Sequence, residues 1–545
     1  MKKTILLYFF FLVFTNCKTT NKISKFDTKS DFKWENANLY FLLVDRFNNG
    51  DKSNDQIIKR NQPTGKLRGF EGGDLRGIIQ KIDEGYFNRL GINVIWLNPI
   101  VEQIHGSVDE GTGNTYGFHG YWAKDFTNID PSFGTRNDLK ELVEKAHKNG
   151  IRIMLDAVIN HTGPVTALDS VFPKNWVRTS PKCTYNSYKN YIDCTLVENL
   201  PDVLTESNEP VDLPPFLIEK WKKEGRYEQE IAELDAFFKK TGYPRAPKYY
   251  IMKWLSDYIT DFGIDGYRVD TVKHVTEDVW ADFSKVCKAA FEAYKKNNPT
   301  KVLDNNAFFM IGEVYGYGIH GKRIYDFGDK KVDYFAFGFD NLINFDFKGD
   351  ANLDYEKLFS KYNQVVQNEL DGGSIMNYIS SHDDAYPYDK KREKAFEAAT
   401  KLLLTPGIAQ IYYGDETNRS LEIEGTQGDA TLRSLMNWND IENNKKTQDL
   451  IIHYQKLGQF RKKHIAVGMG VHQKISDAPY TFSRIYKNDK IIIVLDAKKG
   501  VKIIDVSNIF PDGTVLKDVY SNTKTVVKNG KVSLNSNFEI VLLEQ

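Results

Sequence analysis

Gly263-Ile264-Asp265-Gly266-Tyr267-Arg268-Val269-Asp270 is a turn, a short apolar run and a terminal carboxylate. Successive side chains of a strand point to opposite faces, so Arg268 and Asp270 share one face and the guanidinium holds the carboxylate ionised. Apolar runs of strand length recur at Leu39–Val44, Val94–Leu97, Arg152–Val158, Phe308–Gly312, Leu342–Phe347, Ile375–Ile379 and Ile408–Tyr412. Runs this apolar are buried on both faces, which is how strands of a parallel sheet read. Helical periodicity lies between them, in Leu139, Leu142, Val143, Ala146 and again in Met252, Leu255, Ile259, Phe262. Eight strand–helix repeats predict an α/β fold of the (β/α)8 TIM-barrel type, with functional residues at the C-terminal strand ends. A doubly wound sheet is the alternative.

The rest of the chain is arranged around that barrel. Its 545 residues are enough for three or four domains at about 150 residues each. His161 to about Lys248 is far longer than a βα loop of about 2–6 residues. It carries Pro-rich segments and a charged helix, Trp221–Lys240. We therefore divide the catalytic barrel into 34–161 and 249–466, with an inserted subdomain at 162–248. From 467 to 545 short alternating strands, with turns at Asn488-Asp489, Pro511-Asp512-Gly513 and Lys528-Asn529-Gly530, read as an antiparallel β-sandwich. Hydrophobic residues at 41% and charged residues at 27% exclude wholesale disorder and a multi-span membrane protein. Lys+Arg and Asp+Glu balance at 73 each, so the basic surplus expected of a nucleic-acid binder is missing. Aromatics make up 13%; they suit sugar or protein surfaces, although most belong in a core.

The N-terminus reads as an address. Met1-Lys2-Lys3 precedes an apolar run, Ile5–Phe14, that is too short to span a bilayer core of about 30 Å. With Thr15-Asn16-Cys17 it resembles a bacterial lipoprotein signal, residues 1–17, in which Cys17 is lipidated. Asn16 departs from the small residue usual there, and a plain secretory signal is the other reading. Residues 18–33 form a polar tether. The protein is then exported to the cell envelope, outer membrane or periplasm, as a monomer whose membrane contact is the lipid alone. Export permits disulfides. Cys183 and Cys194 lie close together in a loop-like stretch, so a local bridge is expected, while Cys287 falls on a helical face with Trp280, Phe283, Val286 and Phe291 and reads as a buried thiol. No CxxC pair exists to hold a structural zinc.

The strand ends carry the chemistry. Asp156-Ala157-Val158-Ile159-Asn160-His161 closes the third strand, and Asp270 closes the fourth, with Lys273-His274 after it. Gly312-Glu313-Val314 ends the fifth and Ser380-Ser381-His382-Asp383 the seventh. A single Asp at a strand end is most often a helix cap. Together these motifs place Asp270, Glu313 and Asp383 at one rim. Two such carboxylates about 5–5.5 Å apart suit retaining glycoside hydrolysis, one as nucleophile and one as proton donor.

These four motifs resemble the four signature regions of the α-amylase superfamily, glycoside hydrolase family 13. Leu200-Pro201-Asp202 resembles its additional short region and Tyr116-Gly117-Phe118-His119-Gly120-Tyr121-Trp122 the segment after its second strand. Tyr243-Pro244-Arg245-Ala246-Pro247, Phe339–Asp346, Gln410–Glu416 and Met436-Asn437-Trp438 are similar to the periplasmic α-amylases of Gram-negative bacteria. The resemblance implies Asp270 as nucleophile, Glu313 as general acid/base and Asp383 as the carboxylate that binds sugar hydroxyls. It implies sugar contacts from Arg268, His161, His382, Lys273 and His274, and a Tyr121 ring stacked on the sugar. It also implies a structural Ca²⁺ held by Asn160, Asp202 and the backbone carbonyl of His274, hard oxygen donors that suit calcium. Asn49-Gly50-Asp51-Lys52-Ser53-Asn54-Asp55 with Gly72-Gly73-Asp74 resembles the N-terminal calcium loop of cyclodextrin glucanotransferases. Asn49, Asp51, Asn54, Asp55, Gly72 and Asp74 are candidate ligands there, and a plain polar turn is the alternative.

Retaining, endo-type hydrolysis of α-1,4-glucosidic bonds in starch, glycogen or maltodextrins is the implied reaction. Two readings compete with it. Cyclodextrin-forming transferases share Lys273-His274 and Gly73-Asp74, but carry a central aromatic where Thr195-Leu196-Val197-Glu198-Asn199 has none, and further C-terminal domains for which this chain is too short. A non-catalytic glycan-binding lipoprotein would be expected to have lost one of the three acids, and all three are present.

Overall fold

The computed structural model describes residues 32–545; the signal, Cys17 and most of the tether lie outside the described residues. Eight parallel strands close on themselves: β1 (Asn38–Leu42), β2 (Val94–Leu97), β3 (Arg152–Ala157), β4 (Gly266–Val269), β5 (Phe309–Gly312), β6 (Asn341–Asn344), β7 (Ser374–Tyr378) and β8 (Ile408–Tyr412). Closure is set by β1, where Leu39 registers with Val94 of β2 on one side and with Gln410 of β8 on the other. The doubly wound alternative is thereby removed. All eight strands are buried along their whole length, the reason they read as unbroken apolar runs. Several ends shift by one residue, and two stop well short of the sequence reading. β1 stops at Leu42 because Val44 opens the single helical turn Val44–Phe47. β6 stops at Asn344 because the Phe345 amide turns to the Tyr317 carbonyl at 2.9 Å.

The outer helices are α1 (Leu75–Asp83), α2 (Arg136–Lys148), α5 (Pro247–Phe262), α6 (Glu277–Asn297), α7 (Tyr355–Asn368), α8 (Ala395–Leu404) and α9 (Lys445–Lys463), with α3 (Pro215–Lys223) and α4 (Tyr227–Thr241) in the insertion. The periodic faces behave as expected: Leu139, Leu142, Val143 and Ala146 of α2 and Met252, Leu255, Ile259 and Phe262 of α5 are buried. Cys287 is a buried free thiol on α6. The single charged helix expected over Trp221–Lys240 is two helices. Gly225, at φ +72°, takes the left-handed conformation that glycine adopts freely and breaks the run. The break lets Trp221 and Phe238 meet Trp254 and Tyr250 of α5, at ring-centroid distances of 6.2 and 5.0 Å. Cys183 and Cys194 are joined, Cα to Cα 4.9 Å, around a loop that carries Tyr185 and Tyr191.

The C-terminal strands are β9 (Val471–Asp477), β10 (Tyr480–Tyr486), β11 (Asp489–Leu495), β12 (Gly500–Asp505), β13 (Val515–Asp518), β14 (Thr523–Val526), β15 (Lys531–Ser536) and β16 (Val541–Glu544). Six form one antiparallel sheet in the order β9-β10-β11-β16-β13-β14, and β12 pairs with β15. Alternation divides β11 between two cores: Ile491, Ile493 and Leu495 join the barrel side, while Ile492 and Val494 pack with Ile504, Val532 and Leu534. The first turn falls one residue earlier than expected, since Lys487 takes the left-handed conformation at φ +52° and Asp489 already belongs to β11.

Candidate active site

Arg268 lies on β4 in register with Asp156 of β3 and Ile311 of β5. Its inward side chain, 1% exposed, therefore sits between acids delivered by the two flanking strands. Nη1 donates to Asp270 Oδ1 at 2.7 Å and to both Asp156 oxygens at 3.0 Å, and Nη2 pairs with Glu313 Oε1 at 2.6 Å. Burying a guanidinium is costly unless its charge and N–H groups are met; here three carboxylates share one cation. The surplus of negative charge has consequences. Glu313 is pushed well above the usual carboxylate range by burial, then by the charges of Asp270 and Asp383, with Arg268 pulling the other way. Burial also raises Asp156, to about 7. Asp383 moves down: burial opposes ionisation, but His382, Arg268, the Ser381 hydroxyl at 2.9 Å and Arg433 outweigh it.

The chain after Asp270 is bent to serve Glu313. Thr271 adopts φ +50°, a left-handed position rare for a non-glycine residue, and its amide donates to Glu313 Oε2 at 3.1 Å. The Val272 amide reaches the Glu313 carbonyl at 3.0 Å. The following Lys273 donates to the Tyr315 carbonyl at 2.8 Å and the Tyr325 hydroxyl at 3.3 Å, and lies 5.1–5.6 Å from the ring centres of Tyr191, Tyr315 and Tyr325. Burial lowers it to about 8. His274 bonds the Tyr191 carbonyl through Nδ1 at 3.0 Å and is lowered by burial to about 4. Tyr315 and Tyr185 remain 51% and 46% exposed, so the Glu313 side of the cleft carries an open aromatic wall.

Opposite, the Tyr121 hydroxyl donates to Asp156 Oδ2 at 3.0 Å, and its ring lies nearly parallel to His382 at 5.3 Å and His119 at 5.9 Å. The Tyr121 carbonyl meets His161 Nε2 at 3.1 Å. Burial lowers His161, and lowers His382 to about 4, leaving neutral imidazoles suited to hydrogen bonding with hydroxyls. Arg433 Nε holds the His382 carbonyl at 2.9 Å. Asp156, although quoted as part of a motif, was assigned no role from sequence. Its role follows from being the register partner of Arg268, which only the strand pairing reveals. Tyr191, Tyr325 and Arg433 were also missed, since they come from loops without a pattern.

Among the described residues no group of three or more His, Cys, Asp or Glu side chains is placed to hold a metal ion. The candidate calcium positions combine amide and carbonyl oxygens with isolated carboxylates. Asn160 and Asp202, distant in sequence, are brought together: the Val203 amide donates to the Asn160 carbonyl at 2.8 Å, and His161 bridges to Asp202. Asn160 Oδ1 is buried without a partner, and burial pushes Asp202 to about 8 although Arg178 Nε reaches it at 2.8 Å. An orphaned amide oxygen on a segment whose backbone pairs with that of a buried carboxylate is compatible with a hard cation. In the N-terminal loop Asn49 Oδ1 and Asn54 Oδ1 are likewise buried and unpartnered. Asn49 Nδ2 donates to Asp55 at 2.9 Å, and Gly72, at φ +93°, lies so close that a Cβ would come within 2.5 Å of Asn49. Asp51 is turned toward Ser53 at 2.6–2.9 Å, and Asp74 caps α1 through the Gly77 amide at 2.6 Å while accepting from Gly50 and Asp51. Asn49 and Asn54 thus present unpartnered amide oxygens in this loop, while Asp51, Asp55 and Asp74 are engaged in hydrogen bonds.

A closed parallel barrel whose C-terminal rim gathers three acids around one arginine is the architecture of a barrel glycosidase. The chain belongs to the α-amylase family, glycoside hydrolase family 13: the family's catalytic-domain model, Alpha amylase, catalytic domain, matches residues 41–470. It is 34% identical over 526 residues to the periplasmic α-amylase of Escherichia coli (strain K12), covering 86% of this chain and 73% of that protein. An α-amylase of Geobacillus thermoleovorans solved with acarbose has the same fold, TM-score 0.66 at 24% identity, with 94% of this chain and 100% of that one covered. So does a cyclomaltodextrin glucanotransferase of three-domain ABC distribution, TM-score 0.64 at 22% identity, covering 93% and 98%.

Proposed function

We propose that the protein hydrolyses internal α-1,4-glucosidic bonds of starch, glycogen or maltodextrins with retention. Asp270 attacks the anomeric carbon; as that C–O bond forms, the glucosidic C–O bond breaks and Glu313 gives its proton to the departing oxygen. Glu313 then takes a proton from water, whose oxygen displaces Asp270 to release the α-anomer. The observation that carries this reading is the single Arg268 guanidinium held between Asp270 and Glu313, with a surplus of acids that keeps Glu313 protonated. Asp383, His161 and His382 bind hydroxyls of the distorted sugar, and Tyr121 walls its pocket. Ca²⁺ at Asn160, Asp202 and the His274 carbonyl would tie the insertion to the barrel, with a second ion at Asn49, Asn54, Asp55 and Gly72. The family membership and the E. coli relative, named a periplasmic α-amylase, support the reading. That relative's name also supports export to the periplasm; Cys17 as a lipid anchor rests on the N-terminal sequence alone. Proton NMR of the first-formed product tests the mechanism: the α-anomer is expected, and the β-anomer refutes it.

One observation favours a second reading, α-glucan transfer. Thr195–Asn199 has no aromatic, but Tyr191, Tyr315 and Tyr325 gather around Lys273 on the Glu313 side, a wall that would favour an incoming sugar over water. Cyclodextrins formed from starch, against linear oligosaccharides alone, separate the two.

A further inference from the structure

A cavity of about 850 Å³ opens between helix α3 of the insertion and the antiparallel ribbon Val101–Gln103/Ala123–Ile129. The ribbon's second strand begins two residues after Tyr121, but none of the three acids lines the cavity. Its volume lies within the range of about 300–1,000 Å³ of small-ligand sites. The deep charges are already paired. Lys220 meets Glu102 and Asp125, Glu102 also meets His105 at 3.2 Å, and Lys124 meets Asp169 at 2.7 Å. A ligand of either net charge would therefore gain from one sign and be opposed by the other. The paired groups still offer lone pairs and N–H bonds. Ile129, Pro131 and Phe216 supply apolar wall between them. At the mouth, Glu219 and Lys223, one turn apart on α3, are exposed and make no ion pair among the described residues. Scattered donors and acceptors around apolar surface, without surplus charge, match a neutral polyhydroxyl ligand whose C–H faces rest on Phe216 and whose hydroxyls reach Glu219 and Lys124.

We propose that this cavity is a second glucan-binding site, which takes a segment of α-glucan away from the cleavage point. The proposal rests on the α-glucan reading of the catalytic cleft. Its effect is to tether polymer, so that the cleft meets a raised local concentration of chain, an advantage that a short oligosaccharide cannot gain. Titration calorimetry of maltoheptaose into the full chain carrying Glu313→Gln is expected to show two binding events, and one when Phe216→Ala and Glu219→Ala are added. In active enzyme the same pair should raise KM for amylose about fivefold and leave kcat/KM for maltotriose within twofold, the latter showing that the cleft remains folded. A single event in the Glu313→Gln chain, or two events persisting after the pair is added, overturns the proposal. Two events in a chain that cleaves no α-glucan, reduced to one by the pair, would uphold it and refute the catalytic reading.

Discussion

Replacing Arg268 with Met removes the one cation that three buried carboxylates share. At the observed separations of 2.6–3.0 Å a contact with an ionised carboxylate is worth roughly 6 kcal/mol of gross attraction at an effective dielectric of 20. Most of that is offset by desolvation, and breaking such a buried cluster from one side typically costs about 3–5 kcal/mol. With an unfolding entropy of about 2.1 cal/mol/K per residue over roughly 500 residues, that is a fall in Tm of about 3–5 °C at pH 7. The pH dependence is the sharper test. Arg268 is what pulls Asp156 and Glu313 down, so its loss raises both further above their unfolded values. A group with a raised folded pKa binds more protons folded than unfolded, so stability falls as pH rises from the unfolded value, near 4, toward the folded one. The Tm deficit of Arg268→Met should therefore be small at pH 5 and grow through pH 8, measured by scanning calorimetry beside wild type. A deficit that is constant, or that grows on acidification, would refute the shared-cation account.

Asp270→Asn and Glu313→Gln should each lower kcat by several decades without lowering Tm, because the first removes charge from an over-acidic cluster and the second replaces a protonated carboxyl with a neutral amide of the same shape; unchanged turnover in either would refute its role. As Glu313 must carry a proton, wild-type kcat/KM should fall as pH rises through its elevated pKa, and a profile flat to pH 10 would contradict the proton-donor assignment. A strong chelator should lower Tm, because an ion bound only by the folded chain stabilises it by mass action; Asp202→Ala should reduce that response and the quadruple change of Asn49, Asn54, Asp55 and Gly72 is not needed to test it. Indifference of both Tm and activity to chelation would remove calcium. Cys17→Ser should shift the protein from the detergent phase to the soluble fraction with activity retained, since two or more acyl chains at about 0.8 kcal/mol per buried CH₂ hold it there; soluble wild type would favour the plain secretory signal.

The barrel was legible because its strands are covered on both faces and leave unbroken apolar runs, and because its outer helices keep a 3.6-residue stripe. The insertion was less so. Lys222-Lys223-Glu224-Gly225-Arg226 continues a charged helical pattern, and one glycine within it is tolerated often enough that its left-handed turn shows only when Trp221 and Phe238 are seen meeting α5. The N-terminal loop of Asn and Asp residues shows a similar ambiguity. Asp51 and Asp74 look like donors in a run of oxygen side chains, yet a carboxylate beside free amides is equally an Asx turn or a helix cap, and both accept such amide bonds here.

The acids themselves were legible one strand at a time, whereas the relation that makes them reactive was not. Spacing alone puts Arg268 beside Asp270, two residues along one face. That Glu313 also meets Arg268, and that Asp156 takes the remaining donors, follows from the register Asp156–Arg268–Ile311 across β3, β4 and β5, which no local pattern encodes. Asp156 is then more than packing. If one cation served only Asp270 and Glu313, Arg268 would be free to favour ionisation of both; by engaging Nη1 from the other side, Asp156 divides that cation and adds its own negative charge. Asp156→Asn should on this argument leave the geometry of Tyr121 and Arg268 hydrogen-bonded through the amide oxygen, yet lower the pKa of Glu313 and shift the alkaline limb of kcat/KM to lower pH. A limb that stays in place while activity falls would make Asp156 a structural prop alone.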